Sequence, residues 1–362
     1  MAELDLLVDG LSARIGGGMT VLRGLGGALA SRDDARVRFL VRGQEAKLLA
    51  ESIPSGSLIP IHFQSEAQRL WWEQTRLLAY ARDHGQSALL GLSNVAPFFG
   101  RPTSVRRGVL LQNVAPLLPE IRGQFGGRSR MRLEALRALT TRSCRASDIV
   151  FAFSRYAEEL ASTVSRGTPT CWIPPGDSQG TQSSWAPNWE EPYGLLVGDL
   201  YRYKGVEDVV GAILRMDDSD FRVVVCGASV DPTYLESLRR TISEQGVERR
   251  IRFVGPVPRA TVLQLMVRAI CFIQTSRVES LCLPLGEALG IGVPIISTRI
   301  PVAAEVCGGS ASYYDPGDVL ALAGLLTKAR EGRVDGPTRK ARRSWSEAAQ
   351  GVVEGLSDGH RV

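Results

Sequence analysis

A chain of 362 residues with 44% hydrophobic and 22% charged side chains is long enough for two cores and too apolar to be disordered or fibrous. Six cysteines, Cys144, Cys171, Cys226, Cys271, Cys282 and Cys307, are scattered without Cys-x-x-Cys spacing, which argues for buried thiols over disulfides or a zinc site. The formal charge of +5 is mildly basic and reads as solubility. No apolar run approaches bilayer-spanning length, and the start reads as a buried strand rather than a signal peptide, so a cytoplasmic protein is expected.

Residues 4–8 alternate like a core strand, and 10–18, ending in Gly16-Gly17-Gly18, form a small-residue loop into an amphipathic helix over 19–30. A strand, a glycine loop and a helix start let a phosphate approach, although an ordinary βα turn has the same pattern. Strands follow at 37–41 and 58–63, and helices at 46–51 and 65–81. The second helix carries Trp71 and Trp72, expected in a core or along a groove wall. Strands 88–92 and 105–111 end in Ser93-Asn94 and Gln112-Asn113, placing polar side chains where parallel α/β sheets bind ligands.

Between 122 and 145 lie Arg122, Arg128, Arg130, Arg132, Arg137, Arg142 and Arg145, with Glu134 the only acid. A solvated arginine-rich helix explains this, as does a surface facing an anionic acceptor or a membrane. Nucleic acid is disfavoured by the absence of interleaved aromatics. Strand 148–153, a helix opened by Ser154, and strand 170–173 complete a first domain over 1–178. A Gly-, Ser-, Thr- and Pro-rich linker spans 179–192.

The second domain, 193–340, repeats the βα rhythm: strands at 193–198, 221–226, 251–254, 270–274 and 293–297, helices at 205–215, 232–244, 259–267 and 284–290. Such alternation predicts a parallel sheet covered on both faces. Glu279 and Glu287 flank the start of the last of these helices. Its unpaired amides suit an anion, and the carboxylates suit sugar hydroxyls; capping or surface glutamates on a buried helix are the plainer reading. The tail, 341–362, is expected to be a helix anchored by a buried Trp345.

The stretch from Cys271-Phe272-Ile273-Gln274-Thr275-Ser276 through the glutamate pair and Gly292-Val293-Pro294-Ile295-Ile296 to Glu305-Val306 and Asp315-Pro316-Gly317-Asp318 is distinctive. It resembles the nucleotide-sugar signature of the retaining family 4 (bacterial group 1) glycosyltransferases. The resemblance extends upstream through Leu196-Val197-Gly198-Asp199-Leu200, Lys204-Gly205, Val223-Val224-Val225-Cys226-Gly227 and Ile251-Arg252-Phe253-Val254-Gly255. It covers most of the C-terminal half and only scattered pieces of the N-terminal half.

The resemblance implies an α/β protein of GT-B fold, two Rossmann-like parallel-sheet domains facing a central cleft, with the tail helix crossing back to the first domain. It implies retaining, metal-independent transfer from a GDP- or UDP-sugar to a hydroxyl of a saccharide, glycolipid or natural product. The nucleotide sugar is a substrate, and no cofactor, metal or nucleic acid is expected. By resemblance, Lys204 and the backbone of Ser280, Leu281, Cys282 and Leu283 meet the diphosphate, Glu287 the ribose, Glu279 the sugar, and Val254 and Gly255 the base. Gly17 and Gly18 lie near the phosphates and acceptor.

Two departures stand out. Asp199 replaces the family's usual arginine, leaving Arg202 to reach the phosphates, and Gln112-Asn113 stands where many members have a histidine, leaving Asn113 for the sugar contact. These departures keep a catalytically inactive nucleotide-sugar-binding module open as an alternative, alongside a GT-B epimerase. A dinucleotide oxidoreductase lacks its glycine fingerprint. Asp218-Ser219-Asp220 reads as a solvated loop away from the ligand end of the sheet. The basic stretch fits polysaccharide or glycolipid assembly with peripheral contact at the inner membrane face.

Overall fold

The computed structural model describes residues 3–13, 16–99, 104–176, 192–216, 220–337 and 343–357. Residues 179–191 of the expected linker (179–192), Asp177, Asp218 and Ser219 lie outside them. Apolar runs buried on both faces, such as Leu6, Leu7 and Val8, form central parallel strands, because helices on either side remove them from water.

In the first unit the strands are β1 (Leu4–Asp9), β2 (Ala35–Arg42), β3 (Leu58–Ile61), β4 (Ala88–Gly91), β5 (Arg106–Leu111), β6 (Ile149–Ala152) and β7 (Thr170–Trp172). Their spatial order is β3-β2-β1-β4-β5-β6-β7, every pair parallel. The second unit has β8 (Tyr193–Val197), β9 (Arg222–Cys226), β10 (Ile251–Gly255), β11 (Cys271–Gln274), β12 (Ile295–Thr298) and β13 (Ser312–Tyr314). Their order, β10-β9-β8-β11-β12-β13, is again all parallel. Both sheets are therefore doubly wound, Rossmann-like sheets.

The units are Met1–Ser178 with Arg343–Val362, and Gln179–Arg342. Trp345 joins the tail to the first unit. It is 7% exposed, meets Phe153 edge-on at 5.7 Å, and lies so close to Gly24 and Gly176 that a Cβ on either would overlap its indole. The helix Ser346–Leu356 continues from it, burying Ala348, Val352 and Leu356. In the second unit, Phe221, Val225, Ile273, Ile296 and Leu326 belong to one core beneath the helices Val206–Ile213 and Val319–Arg330.

Some details differ from the sequence reading. The helix expected over 65–81 is broken at Arg76 into Glu66–Thr75 and Leu77–Asp83, and Trp71 is 57% exposed while Trp72 packs between Phe63 and Tyr80. Strand β13 and the helices Pro301–Cys307 and Val319–Arg330 had no separate expectation. All six cysteines are free thiols, and five are buried.

Candidate functional site

In each doubly wound sheet the chain reverses its direction of travel, so the connections leaving two neighbouring central strands diverge and open a crevice at their C-terminal ends. In the second unit those strands are β8 and β11. Strand β8 runs into Gly198, Asp199 and the turn Arg202–Lys204; β11 runs into the loop that carries Glu279 and then the helix Leu283–Ile291.

The two connections are tied together. Gly205 adopts φ 63°, and a Cβ there would stand 2.4 Å from the Thr275 carbonyl, so the turn can close on the loop only with glycine. The Thr275 hydroxyl donates to the Lys204 carbonyl at 2.5 Å, and the Arg277 amide to the Tyr203 carbonyl at 2.7 Å. The Arg277 guanidinium grips buried Asp208 through two bonds, 2.5 and 2.8 Å, and Asp208 also accepts the Gly317 amide at 3.0 Å.

This scaffold brings Lys204 and Glu279 together at 2.6 Å, with side chains 20% and 12% exposed. Burial works against the lysine's charge, but the adjacent carboxylate outweighs it and holds its pKa above the ordinary value. Glu279 Oε1 also accepts the Ser276 hydroxyl at 2.6 Å and Gln274 Nε2 at 3.0 Å. Three donors thus converge on one oxygen, while Oε2 takes no hydrogen bond among the described residues.

Cys282 follows in the left-handed conformation, φ 51° and ψ 60°, and begins the helix with no side-chain cap. Pro284 occupies its first turn, so the opening amides face the crevice end with little competition from side chains. Glu287, one turn in, is buried at 5% exposure and ion-paired through Oε1 with the Arg259 guanidinium, while Oε2 receives no hydrogen bond among the described residues. Ser280, Leu281 and Leu283 are half-buried in the same loop. Val254 and Gly255 end β10, Gly255 at φ 71° with open space over its α-carbon.

Arg202 is turned toward the helix Pro232–Glu244 and not toward Asp199. Its Nε lies 3.5 Å from Asp231 and its guanidinium over the Tyr234 ring at 5.4 Å. Asp199 is engaged elsewhere, accepting the Ala228 amide at 3.0 Å, so its charge is turned into the backbone after β9. Asp220 sits just ahead of β9, at the opposite end of the sheet from Lys204.

In the first unit, Gly17 is exposed with nothing near its α-carbon, and the Gln112 amide oxygen lies 4.0 Å from where a Gly18 Cβ would stand. Gln112 Nε2 donates to the Leu92 carbonyl. Buried Asn94 accepts the Gln112 and Asn113 amides at 2.8 and 2.9 Å, and Asn113 caps the next turn through the Ala115 amide at 3.0 Å. Asn113 itself is exposed. Gln274 and Ser276 entered the sequence reading only as the end of the signature strand, without a role, and Arg259 was not singled out. The only hint in sequence was a glutamine closing an otherwise apolar strand.

Residues 180–352 match the family model described as glycosyl transferases group 1. A D-inositol 3-phosphate glycosyltransferase of Corynebacterium urealyticum is 32% identical over 177 residues, 44% of this chain and 41% of that one. The O-antigen chain mannosyltransferase RfbU of Salmonella typhimurium is 26% identical over 129 residues, 36% of each. The match thus spans about two fifths of the length of these curated relatives. Among solved structures, Anabaena Alr3699/HepE in complex with UDP and glucose superposes with a TM-score of 0.65 at 17% identity, covering 98% of this chain and 95% of that one. WaaG, a glycosyltransferase involved in lipopolysaccharide biosynthesis, gives 0.65 at 15% identity, covering 97% and 95%. The fold is GT-B, and over residues 180–352 the chain is similar to the group 1 glycosyl transferases.

Proposed function

We propose that the chain is a retaining, metal-independent glycosyltransferase that moves a sugar from a UDP- or GDP-sugar to a hydroxyl of a saccharide, glycolipid or natural-product acceptor. The observation that carries this reading is the meeting of Lys204 with Glu279 beside the uncapped start of the helix Leu283–Ile291, at the switch point of the second sheet. A cation and a helix start receive a diphosphate, and a carboxylate oxygen left over receives a sugar hydroxyl. Buried Glu287, whose Oε2 lacks a hydrogen bond, suits the ribose hydroxyls, and Val254 with Gly255 suits the base. Arg202, 41% exposed and two residues from Lys204, adds positive charge once it leaves Asp231. Asn113, Gly17 and Gly18 are assigned to the sugar and acceptor side. The HepE structures hold UDP and UDP-glucose, which supports a nucleotide-sugar donor.

In the proposed step the acceptor oxygen bonds to the sugar's C1 on the face from which the diphosphate departs. The C1–O bond to the diphosphate breaks, its electron pair stays on the phosphate oxygen, and that oxygen takes the acceptor proton. Lys204 and the helix-start amides stabilise the growing negative charge, the largest usual contribution to such catalysis. No protein nucleophile is needed.

Two observations favour a second reading, a silent sugar-nucleotide-binding module. Asp199 is spent on the Ala228 amide, and Gln112 on the Leu92 carbonyl. Incubation with radiolabelled UDP- and GDP-sugars, with and without EDTA, tests both. Label transferred or hydrolysed in EDTA supports the enzyme, tight binding with no turnover supports the module, an epimerised sugar supports an epimerase, and strict dependence on added metal overturns metal independence.

Peripheral membrane contact is part of the proposal. On the helix Gly127–Ala146, Arg128, Arg130, Arg132, Arg137, Arg142 and Arg145 are exposed, with Met131 at 73%. Arg122 is not part of that face: it is 13% exposed and bonded to Glu134 and the Pro116 carbonyl.

A further inference from the structure

Gln274 is the single polar residue of β11, 5% exposed, and it lies beneath the loop that carries Glu279. Its amide nitrogen has two hydrogens and two acceptors: Glu279 Oε1 at 3.0 Å and Cys282 Sγ at 2.9 Å. Turning the amide over would set its oxygen against the carboxylate, so the donor side must face Glu279. Cys282 holds a backbone conformation that side chains rarely adopt, at the residue opening the helix Leu283–Ile291. One buried amide therefore joins the carboxylate to the strained turn.

We propose that Gln274 is a positioning residue: its amide, clamped by Cys282 Sγ, fixes the Glu279 orientation that leaves Oε2 for a hydroxyl of the donor sugar. This deepens, and in its ligand rests on, the nucleotide-sugar reading above. A merely structural glutamine would affect nucleotide and nucleotide sugar alike. A positioning one separates them, because the diphosphate contacts come from Lys204 and the backbone, whereas the sugar contact depends on where Oε2 points.

The test has two arms. In the first, Gln274→Leu is assayed with UDP-glucose against UDP and with GDP-mannose against GDP. Transfer or hydrolysis should fall about 10- to 100-fold, as expected for a misaligned charged hydrogen bond, while affinity for UDP or GDP stays within about threefold. Cys282→Ser, which keeps an acceptor, should lose less than Cys282→Ala. Cys282→Ala should lose about fivefold alone and add nothing on Gln274→Leu, since the two act as one unit. Equal losses for nucleotide and nucleotide sugar, or additive effects of the two substitutions, overturn the proposal.

The second arm does not depend on turnover. In 15N-labelled protein, the two Gln274 side-chain amide protons should be distinct, with Cys282→Ala moving one and Glu279→Ala the other. If neither substitution moves them, the clamp does not exist, whatever the activity. If wild type neither binds nor turns over any sugar nucleotide while the resonances respond as stated, the clamp stands and the functional reading falls.

Discussion

Glu279 carries the account at the residue scale, because it is the carboxylate on which Lys204, Ser276 and Gln274 converge. Glu279→Gln keeps the shape and removes the charge, and it puts an amide where three donors expect an acceptor. The expected outcome is a loss of about 1.5–3 kcal/mol in transition-state stabilisation, or about 10- to 150-fold in kcat/KM, with the fold intact by circular dichroism. Wild-type turnover in this variant contradicts its assignment. Glu279 was legible as a candidate from the signature that the whole stretch resembles, and not from its spacing to Glu287 alone. Its direct contact with Lys204 was not, because Lys204 lies 75 positions away in sequence and meets it only through the pairing of β8 with β11. Arg259 beside Glu287 was hidden for the same reason: it opens the helix after β10, and nothing local marks its target. Gln274 gave one weak sign, a polar side chain ending a buried strand, which reads equally as an ordinary strand end.

Among the elements, the central strands were legible because strands buried on both faces spell continuous apolar runs. Short elements were harder: β13 has three residues, two of them only half-buried, too few for any period to show. The break in the helix after Thr75 was also missed, because its apolar spacing continues across Arg76. That broken helix is where an element-scale prediction belongs. Its buried Glu73 pairs with Arg69, and Asp9, buried at the end of β1, accepts the Leu11 amide at 3.1 Å. Burial pushes Asp9 up to about 6, and burial with the nearby Asp9 charge pushes Glu73 up to about 8.

Both carboxyls therefore hold protons in the folded state at pH values where the unfolded chain has lost them. Their contribution to stability is fully present below about pH 4 and is lost as the pH rises through about 6 for Asp9 and about 8 for Glu73. Glu73→Gln, which stays neutral, should gain in Tm relative to wild type as the pH is raised from about 6 to about 8.5. A Tm difference between the two proteins that does not change with pH contradicts this account.

At the scale of the whole molecule, two Rossmann-like units share one plan, with the tail returning to the first through Trp345. No helix among the described residues is long and apolar enough to cross a membrane. The exposed arginines of the helix Gly127–Ala146 are instead proposed to attract an anionic surface. Such attraction weakens as the Debye length shrinks from about 10 Å at 0.1 M salt to about 3 Å at 1 M. Sedimentation with vesicles rich in anionic lipid should show binding at low salt that disappears at high salt and in a variant with Arg128, Arg130 and Arg132 changed to Gln. Absence of binding at low salt makes these residues a solvated face.

The central claim is that the second unit receives a nucleotide sugar where β8 and β11 diverge. Amide hydrogen exchange measured with and without saturating UDP- and GDP-sugars tests it most directly, because it reports where a ligand sits whether or not chemistry follows. At least one sugar nucleotide should slow exchange in residues 281–287 and in the turn at 198–205, and Glu279→Gln should weaken that protection for the nucleotide sugar more than for the bare nucleotide. Unchanged exchange in both segments across the whole panel, or protection confined to the first unit, would contradict the claim.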